Sequence, residues 1–166
     1  SLKGYQKTRL ITFINPAADP RGTGYHIIQS KIAVGSGGFW GKGLFESTQS
    51  HLNFLPARHT DFVFSVFSEE WGFVGFAVLM ILYLGFITWG LDTAIKARDR
   101  LGMLMASSLV CLFTCYCLIN LGMTLGIVPV VGIPLPLMSY GGTSLITTLF
   151  SLGILFNIKK KRYLFS

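Results

Sequence analysis

Four polar residues that can do chemistry stand together at the head of a long apolar run. They are Arg58, His59, Thr60 and Asp61, and the apolar stretch begins directly afterwards at Phe62. An ionisable side chain at a hydrocarbon boundary is costly and is kept when it is paired, solvated or functional. A carboxylate there can accept the proton of a hydroxyl nucleophile and so act as a general base. Asp61 is therefore our first candidate for a catalytic residue.

A structural interpretation of Asp61 stands beside the catalytic one. Asp is a favoured N-cap residue, because its side-chain oxygen can accept a hydrogen bond from the free N–H groups of a first helical turn. A helix that begins at Phe62 would place Asp61 in that position. On the residue pattern alone, general base and helix cap both stay open.

A helical projection relates Asp61 to two glutamates further along the chain. At helical spacing the stripe shared with Asp61 contains Ser65, Ser68 and Gly72, with Glu69 at its flank and Glu70 nearly opposite. Small and polar residues on one side are typical of a face that packs on other helices. We predict that Glu69 lines the same cavity as Asp61, and the alternative is that Glu69 pairs with a cation in the rest of the protein or in the headgroup region.

The composition is that of a membrane protein. Of 166 residues, 51% are hydrophobic and 13% are charged, whereas a soluble domain carries about a quarter charged residues. The chain begins Ser1-Leu2-Lys3, without an initiator Met and without the pattern of a signal peptide. We interpret it as part of a longer membrane protein.

Basic residues predict the orientation of the spans. The net charge of +7 comes from short clusters beside apolar runs, namely Lys3/Lys7/Arg9, Lys96/Arg98/Arg100 and Lys159–Arg162. This distribution is typical of loops on the cytoplasmic side, and it argues against a nucleic-acid partner. Counting back from the basic tail places Asp61 on the exterior side.

The predicted fold class is an all-α polytopic membrane protein with about three to four spans, and its segments follow the chain. They are a cytoplasmic juxtamembrane segment (1–23), a polar span or interfacial helix (24–39), an exterior loop (40–61), a span (62–91), a cytoplasmic loop (92–100), a span (101–128), an exterior or re-entrant loop (129–142), a span (143–158) and a cytoplasmic tail (159–166).

Two loops have unusual contents of glycine or proline, and these contents predict how the loops are built. Residues 35–45 hold five glycines around Lys42, without P-loop spacing and without a preceding strand. We interpret this segment as a loop in which backbones approach closely, with Lys42 solvated. The loop before residue 143 contains Pro129, Pro134 and Pro136, which cannot share one regular helix. We predict that it packs near Asp61.

Two groups of motifs in this chain are long enough to be specific. The first comprises Asn120, Gly126, Pro129, Gly132 and the run Leu137-Met138-Ser139-Tyr140-Gly141-Gly142-Thr143-Ser144. The second comprises Gln29-Ser30-Lys31, Gly41-Lys42-Gly43, Thr48-Gln49-Ser50 and His59-Thr60-Asp61. The first group resembles the SEDS family of shape, elongation, division and sporulation proteins, which includes RodA, FtsW and SpoVE, and the second resembles its RodA branch. The resemblance covers essentially the whole chain and implies the C-terminal part of such a protein.

The resemblance implies a peptidoglycan glycosyltransferase that polymerises lipid II into glycan strands for cell elongation and rod shape. It implies a multi-pass protein of the bacterial cytoplasmic membrane whose active side faces the exterior. The implied partners are a class B penicillin-binding protein and other membrane proteins of the elongation machinery. A lipid II flippase and a non-catalytic scaffold are the alternatives. No charged residue interrupts residues 71–91 or 101–128, which counts against a transport path.

The resemblance places the family's exterior-loop aspartate at Asp61, as the general base toward the acceptor hydroxyl. The leaving group is a lipid pyrophosphate, so cations must meet developing negative charge. Arg58 is the best candidate because guanidinium binds phosphate bidentately, and Lys31 follows. A divalent cation, Mg²⁺ or Mn²⁺, is an expected cofactor whose ligands the sequence does not identify. Further substrate-binding candidates are Glu69 and, within the family motifs, Gln49, His59, Thr60, Ser139 and Tyr140.

Overall fold

The computed structural model describes Thr12, residues 22–43 and residues 61–163, with only the backbone given at Thr23, Arg162 and Tyr163. Its helices are α1 (Thr23–Ser36), α2 (Val63–Ile95), α3 (Arg100–Thr124) and α4 (Gly142–Tyr163), and the described residues contain no β-strand. Helices α2, α3 and the part of α4 over Gly142–Lys161 are long and apolar enough to cross a membrane. The predicted all-α polytopic fold class is confirmed.

Helix α2 is interrupted at Gly72, where φ is 62° and ψ is −157°. Residues 37–43, which we call the glycine strap, lie in this break. The strap donates two backbone hydrogen bonds to α2, from Lys42 N to Glu69 O (3.0 Å) and from Gly43 N to Glu70 O (3.1 Å). It accepts two more at its carbonyls, from Phe73 N to Gly38 O (3.0 Å) and from Val74 N to Phe39 O (3.2 Å).

The four α2 groups at the break would bond to one another in an unbroken helix, because each N–H reaches the carbonyl four residues earlier. The strap thus replaces the bonds that the break removes, as buried backbone in a membrane protein requires. Our prediction for residues 62–91 was one uninterrupted helix, and the break corrects it. The part from Phe73 to Ile95 is still long enough to cross a bilayer.

Helices α2 and α3 form the most extensively packed pair. Small residues lie where they approach at the basic end: Gly90 lies against Val110, and Ala94 and Ala106 belong to one buried cluster with Val110 and Leu155. Such residues let helix backbones come close in a membrane. At mid-height the core is aromatic, with Tyr83, Phe113 and Phe64 buried.

Helix α3 ends at Thr124, four residues before the predicted end of its span at 128. Gly126 has a φ of 68° and directly follows the C-cap residue Leu125. A left-handed glycine at this position ends a helix, because the next N–H groups turn back onto the last carbonyls. Ile127 N and Val128 N both donate to Gly122 O, at 2.8 and 3.1 Å.

Helix α1 has 14 residues, a rise of about 21 Å against about 30 Å of hydrocarbon. Its buried positions are Gly24, Ile27, Ser30 and Ala33, spaced three residues apart, and they face α2 and α3. Its exposed positions include Ile28 and Ile32. The helix therefore packs one face on the spans beside the Asp61 end.

Candidate active site

Asp61 lies two residues before the start of α2 and is partly buried. Its backbone carbonyl accepts a hydrogen bond of 3.1 Å from Nδ2 of Asn120 on α3. The same Nδ2 donates to the carbonyl of Ile133 at 2.7 Å. Asn120 is fully buried, so one fixed amide ties the start of α2 to the loop that follows α3.

The Asp61 carboxylate faces the backbone of that loop. A Cβ atom added at Gly132 would lie 3.3 Å from Asp61 Oδ2. Gly132 also has a φ of 80°, a conformation that side-chain-bearing residues rarely adopt. The prediction that the proline-containing loop packs near Asp61 is confirmed. No hydrogen bond or ion pair to the Asp61 carboxylate is formed within the described residues.

The capping interpretation of Asp61 is wrong. The N-cap residue of α2 is Phe62, and no side-chain hydrogen bond caps this helix. The first turn is closed by backbone alone, with Ser65 N donating to Phe62 O at 3.0 Å. Among the described residues, the Asp61 carboxylate therefore has no capping role in α2.

Three helices meet below Asp61 through a polar contact. Ser30 Oγ lies 2.6 Å from Ser65 Oγ and donates to Thr124 O at 2.7 Å. All three residues are fully buried. Beside them Phe62 packs in a buried apolar cluster with Ile27, Met123 and Val130. These buried hydrogen bonds and apolar contacts fix the position of the residues at the Asp61 end.

Lys31 was predicted to bind substrate, and the structure places it over the loop that begins at the end of α3. Its side chain runs across the backbone of Gly126 and is exposed. An ammonium group near a helix C-terminus interacts favourably with the carbonyls there. Its role as a substrate contact stays a prediction.

Glu69 is fully buried, and its Oε1 lies 2.7 Å from Nζ of Lys42 on the glycine strap. Ser36 Oγ donates to the same oxygen at 3.5 Å. The structure therefore pairs Glu69 with a cation, as our alternative interpretation had it, but the cation is Lys42 of this chain and not one in the rest of the protein or the headgroup region. Lys42 is correspondingly not a solvated loop side chain: its side chain is 30% exposed. A substrate contact of Glu69 stays a prediction.

Ser139 and Tyr140, both predicted substrate contacts, differ in environment. Ser139 is buried, and its Oγ accepts a hydrogen bond of 2.7 Å from Leu135 N. Its hydroxyl thus closes the turn that carries Leu137, which has a φ of 65°. Tyr140 is 81% exposed, and the substrate contacts of both residues stay predictions.

The predicted substrate contacts Gln49, Arg58, His59 and Thr60 lie outside the described residues. Within the ranges that are described, no cluster of three His, Cys, Asp or Glu side chains could hold a metal ion. The divalent cation expected from the resemblance stays a prediction.

Sequence reasoning missed the roles of two residues. Asn120 was noted as part of a motif, but nothing in its neighbourhood along the chain revealed that it joins Asp61 to Ile133. We predicted that the Lys42 side chain is solvated, although the glycines around it indicated that two backbones approach closely there. Close backbone approach, predicted from those glycines, is what allows the strap to enter α2.

Comparison with known proteins identifies the family of this chain. The chain matches the model of the cell cycle protein family of FtsW, RodA and SpoVE over residues 1–164. It is 49% identical over 162 residues to the peptidoglycan glycosyltransferase MrdB of Escherichia coli strain K12, covering 98% of this chain and 44% of that protein. The chain thus spans less than half the length of the curated relatives it matches.

Two solved structures share the fold. One is a chain of a peptidoglycan synthase complex studied for the coordination of polymerization and crosslinking, with a TM-score of 0.75, 34% identity and coverage of 98% of this chain and 44% of that one. The other is the rod shape determining protein RodA of Thermus thermophilus, with a TM-score of 0.60, 43% identity and coverage of 64% and 35%. The chain belongs to the FtsW/RodA/SpoVE family of cell cycle proteins.

Proposed function

We propose that this chain is the C-terminal part of a peptidoglycan glycosyltransferase that polymerises lipid II for cell elongation and rod shape. Family membership and the printed name of its 49% identical relative support the reaction. The observation that carries the proposal is the Asp61 carboxylate, which does not cap its helix and has no partner among the described residues. A buried amide holds its backbone in place.

In the proposed reaction Asp61 is the general base. A sugar hydroxyl of the acceptor is a poor nucleophile until its proton begins to leave, and the carboxylate accepts that proton. The hydroxyl oxygen forms the new glycosidic bond to the anomeric carbon of the donor as the bond from that carbon to the pyrophosphate oxygen breaks. The electron pair leaves with the lipid pyrophosphate, and the proton ends on Asp61.

The leaving pyrophosphate needs positive charge, because its negative charge grows in the transition state. We assign this role to Arg58, which precedes Asp61 by three residues, and to Lys31 of α1. Mg²⁺ or Mn²⁺ belongs to the proposal as a further source of charge. The ligands of such an ion are not assigned, and the steps above concern the chain's own groups.

We place the protein in the bacterial cytoplasmic membrane with Asp61 on the exterior side. The three spans support a multi-pass protein, and the basic residues near α2's end, α3's start and α4's end support this orientation. A class B penicillin-binding protein is the proposed partner, together with other membrane proteins of the elongation machinery. The fold shared with a chain of a peptidoglycan synthase complex supports such an assembly.

The test uses the full-length protein with its penicillin-binding partner in proteoliposomes and fluorescent lipid II. We expect glycan strands longer than a disaccharide unit, resolved by gel electrophoresis. Transfer of lipid II to the opposite leaflet without any polymer would contradict the proposal and indicate a flippase. Neither polymer nor transfer, with the partner still bound, would contradict it and indicate a scaffold.

A further inference from the structure

Basic side chains from three helices are concentrated at the end of the spans opposite Asp61, and the proposed reaction uses none of them. They lie at the end of α2, before and at the start of α3, and at the end of α4, and they are Lys96, Arg98, Arg100 and Lys159–Lys161. Helix contacts bring these segments together. A Cβ atom added at Gly102 of α3 would lie 3.6 Å from Cγ2 of Ile158 on α4, and Ile158 packs on the same buried cluster as Trp89 of α2.

One of these cations, Lys159, is held in place by an aromatic ring. Its Nζ lies 4.8 Å from the centroid of the Trp89 ring, which is within the range of cation–π attraction. Trp89 also contacts Phe156, about one turn earlier on α4, with ring centroids 5.0 Å apart. Because side chains on a helix lean toward its N-terminus, the Lys159 side chain reaches back to this aromatic pair. The ammonium group is therefore fixed at a defined place between α2 and α4.

The surface of α4 changes from charged to apolar within one turn of Lys159. Phe156 is 59% exposed. Leu149 and Leu145, which are also exposed, lie 7 and 11 residues before it and so share its face of the helix. Tryptophan is enriched where such an apolar surface meets a polar one at the membrane boundary. A phospholipid presents the same order of parts, a charged headgroup followed by apolar chains, whereas a free phosphate ion has nothing to place on Phe156.

The charges at this end are not balanced by the aspartates that lie there. Asp92 forms an ion pair with Lys96, and the Asp99 side chain caps α3 by accepting a hydrogen bond from Gly102 N. Over the ranges that the structure describes, Lys159–Lys161 form no ion pair with a carboxylate. Basic side chains close to a membrane surface attract anionic lipids. The charge that complements this end of α4 is thus a negative one in the headgroup layer.

We propose that Lys159, held over Trp89, binds the headgroup phosphate of an anionic phospholipid in the leaflet at this end of the protein. The acyl chains of that lipid lie along the face of α4 that carries Phe156, Leu149 and Leu145. The binding is noncovalent, and it does not involve Asp61. The proposal goes beyond the glycosyltransferase function and does not rest on it, because it concerns a different end of the molecule and a different lipid.

The test uses Trp89 itself as the reporter, in the full-length protein reconstituted into vesicles. Phosphatidylglycerol and phosphatidylcholine are mixed, with brominated acyl chains on one or the other, and bromine quenches tryptophan fluorescence on contact. Subtracting the signal of a Trp89→Phe variant isolates the contribution of Trp89. The dependence of quenching on vesicle composition gives the binding constant of phosphatidylglycerol relative to phosphatidylcholine at this place.

Three kinds of variant separate a built site from general attraction to a basic surface. Lys159→Gln removes the fixed charge, and Lys159→Met repeats this with a side chain that still packs on Trp89. Lys159→Arg keeps both the charge and the cation–π contact. Lys160→Gln is the matched control: it removes the same charge one residue away, from a side of α4 turned away from Ile158. Melting temperatures confirm that each variant is folded.

We expect phosphatidylglycerol to bind beside Trp89 about fivefold more tightly than phosphatidylcholine, and this preference to vanish in both neutral variants of Lys159. Lys159→Arg and Lys160→Gln should each stay within about twofold of the wild type. Equal quenching by the two lipids in the wild type would overturn the proposal. An equal loss in Lys160→Gln and Lys159→Gln would also overturn it, because the attraction would then belong to the whole basic surface.

Competition experiments identify the source of the negative charge. Inorganic phosphate, added in place of chloride at constant ionic strength, should leave the quenching unchanged, and so should a polyglutamate peptide. Displacement of phosphatidylglycerol by inorganic phosphate would overturn the lipid in favour of a free anion, and displacement by polyglutamate alone would overturn it in favour of an acidic protein segment. Since the readout does not use glycan synthesis, failure of this proposal and failure of the proposed function are distinguishable.

Discussion

Two aspartates stand at the starts of neighbouring helices, and the molecule uses them differently. Asp99 is the N-cap residue of α3: its backbone is extended, and its side chain accepts a hydrogen bond of 3.2 Å from Gly102 N. Asp61 stands two residues before α2, yet the N-cap residue of that helix is Phe62, and no side chain caps it. Asp99 lies beside basic residues at the predicted cytoplasmic side, and Asp61 at the opposite end of the spans.

The difference shows that position before a helix does not by itself make an aspartate a cap. The carbonyl of Asp61 is held by Asn120, and its carboxylate is directed toward Gly132. The buried amide of Asn120 thus fixes the backbone of Asp61, and no described residue bonds to its carboxylate. Within the described part of the chain, the Asp99 side chain is bonded to the first turn of its own helix. The two aspartates can therefore be distinguished by their contacts.

The largest effect is expected from Gly72→Ala, which disturbs the break that positions the first turns of α2. A Cβ there would overlap the backbone nitrogen of Gly41 and lie 2.9 Å from Phe39 O, at a φ of 62°. We expect a loss of about 3 kcal/mol or more in stability from backbone strain and displacement of the strap. Thermal unfolding of the purified protein measures it.

The matched control for Gly72→Ala is Gly85→Ala in the regular part of the same helix. A Cβ at Gly85 meets no atom within 4 Å, so the change should stay within about 1 kcal/mol and be neutral or stabilising. Equal melting temperatures for the two variants would show that the strap does not require a glycine at the break.

The next effect concerns Asn120→Ala, which removes the support that distinguishes Asp61 from Asp99. Two hydrogen bonds to partly buried carbonyls are lost, and we expect about 2 kcal/mol of destabilisation. Polymerisation should fall further than the folded fraction, because the base is displaced. Asn157→Ala, at an exposed position of α4, is the control for residue type. Parallel losses of rate and folded protein would argue that Asn120 does not position Asp61.

The smallest effect is expected from Asp99→Ala. Loss of a helix cap costs about 1 kcal/mol, so the melting temperature should fall slightly. The rate per folded molecule should not change, since Asp99 lies far along the chain from the proposed reaction centre. A specific loss of polymerisation in this variant would remove the distinction between the two aspartates.

The fold class followed from the sequence because the long apolar runs and flanking basic clusters leave few arrangements. Asp61 could be singled out because it stands at such a boundary. The break at Gly72 could not be predicted, because it depends on a backbone segment some thirty residues earlier that enters the helix. Asn120 could not be assigned for the same reason: its two acceptors are distant in sequence, at Asp61 and Ile133.

The partner of Glu69 could not be predicted either, because it lies on a distant segment of the chain. A helical projection gives the direction of a side chain from its own helix, and it correctly separated the buried Glu69 from the less buried Glu70. It does not identify the basic residue, on another segment of the chain, that lies beside that side chain. The approach of Lys42 depends on glycines at both backbones, which only the three-dimensional structure relates to one another.

The most direct test of the account is Asp61→Asn in the full-length protein with its partner. Asn is as good an N-cap as Asp and has nearly the same shape, but it cannot accept a proton as a general base. We expect polymerisation of lipid II to fall at least about a hundredfold, with an unchanged melting temperature. Undiminished polymerisation, or a loss of rate that only follows a loss of folded protein, would contradict the catalytic role of Asp61.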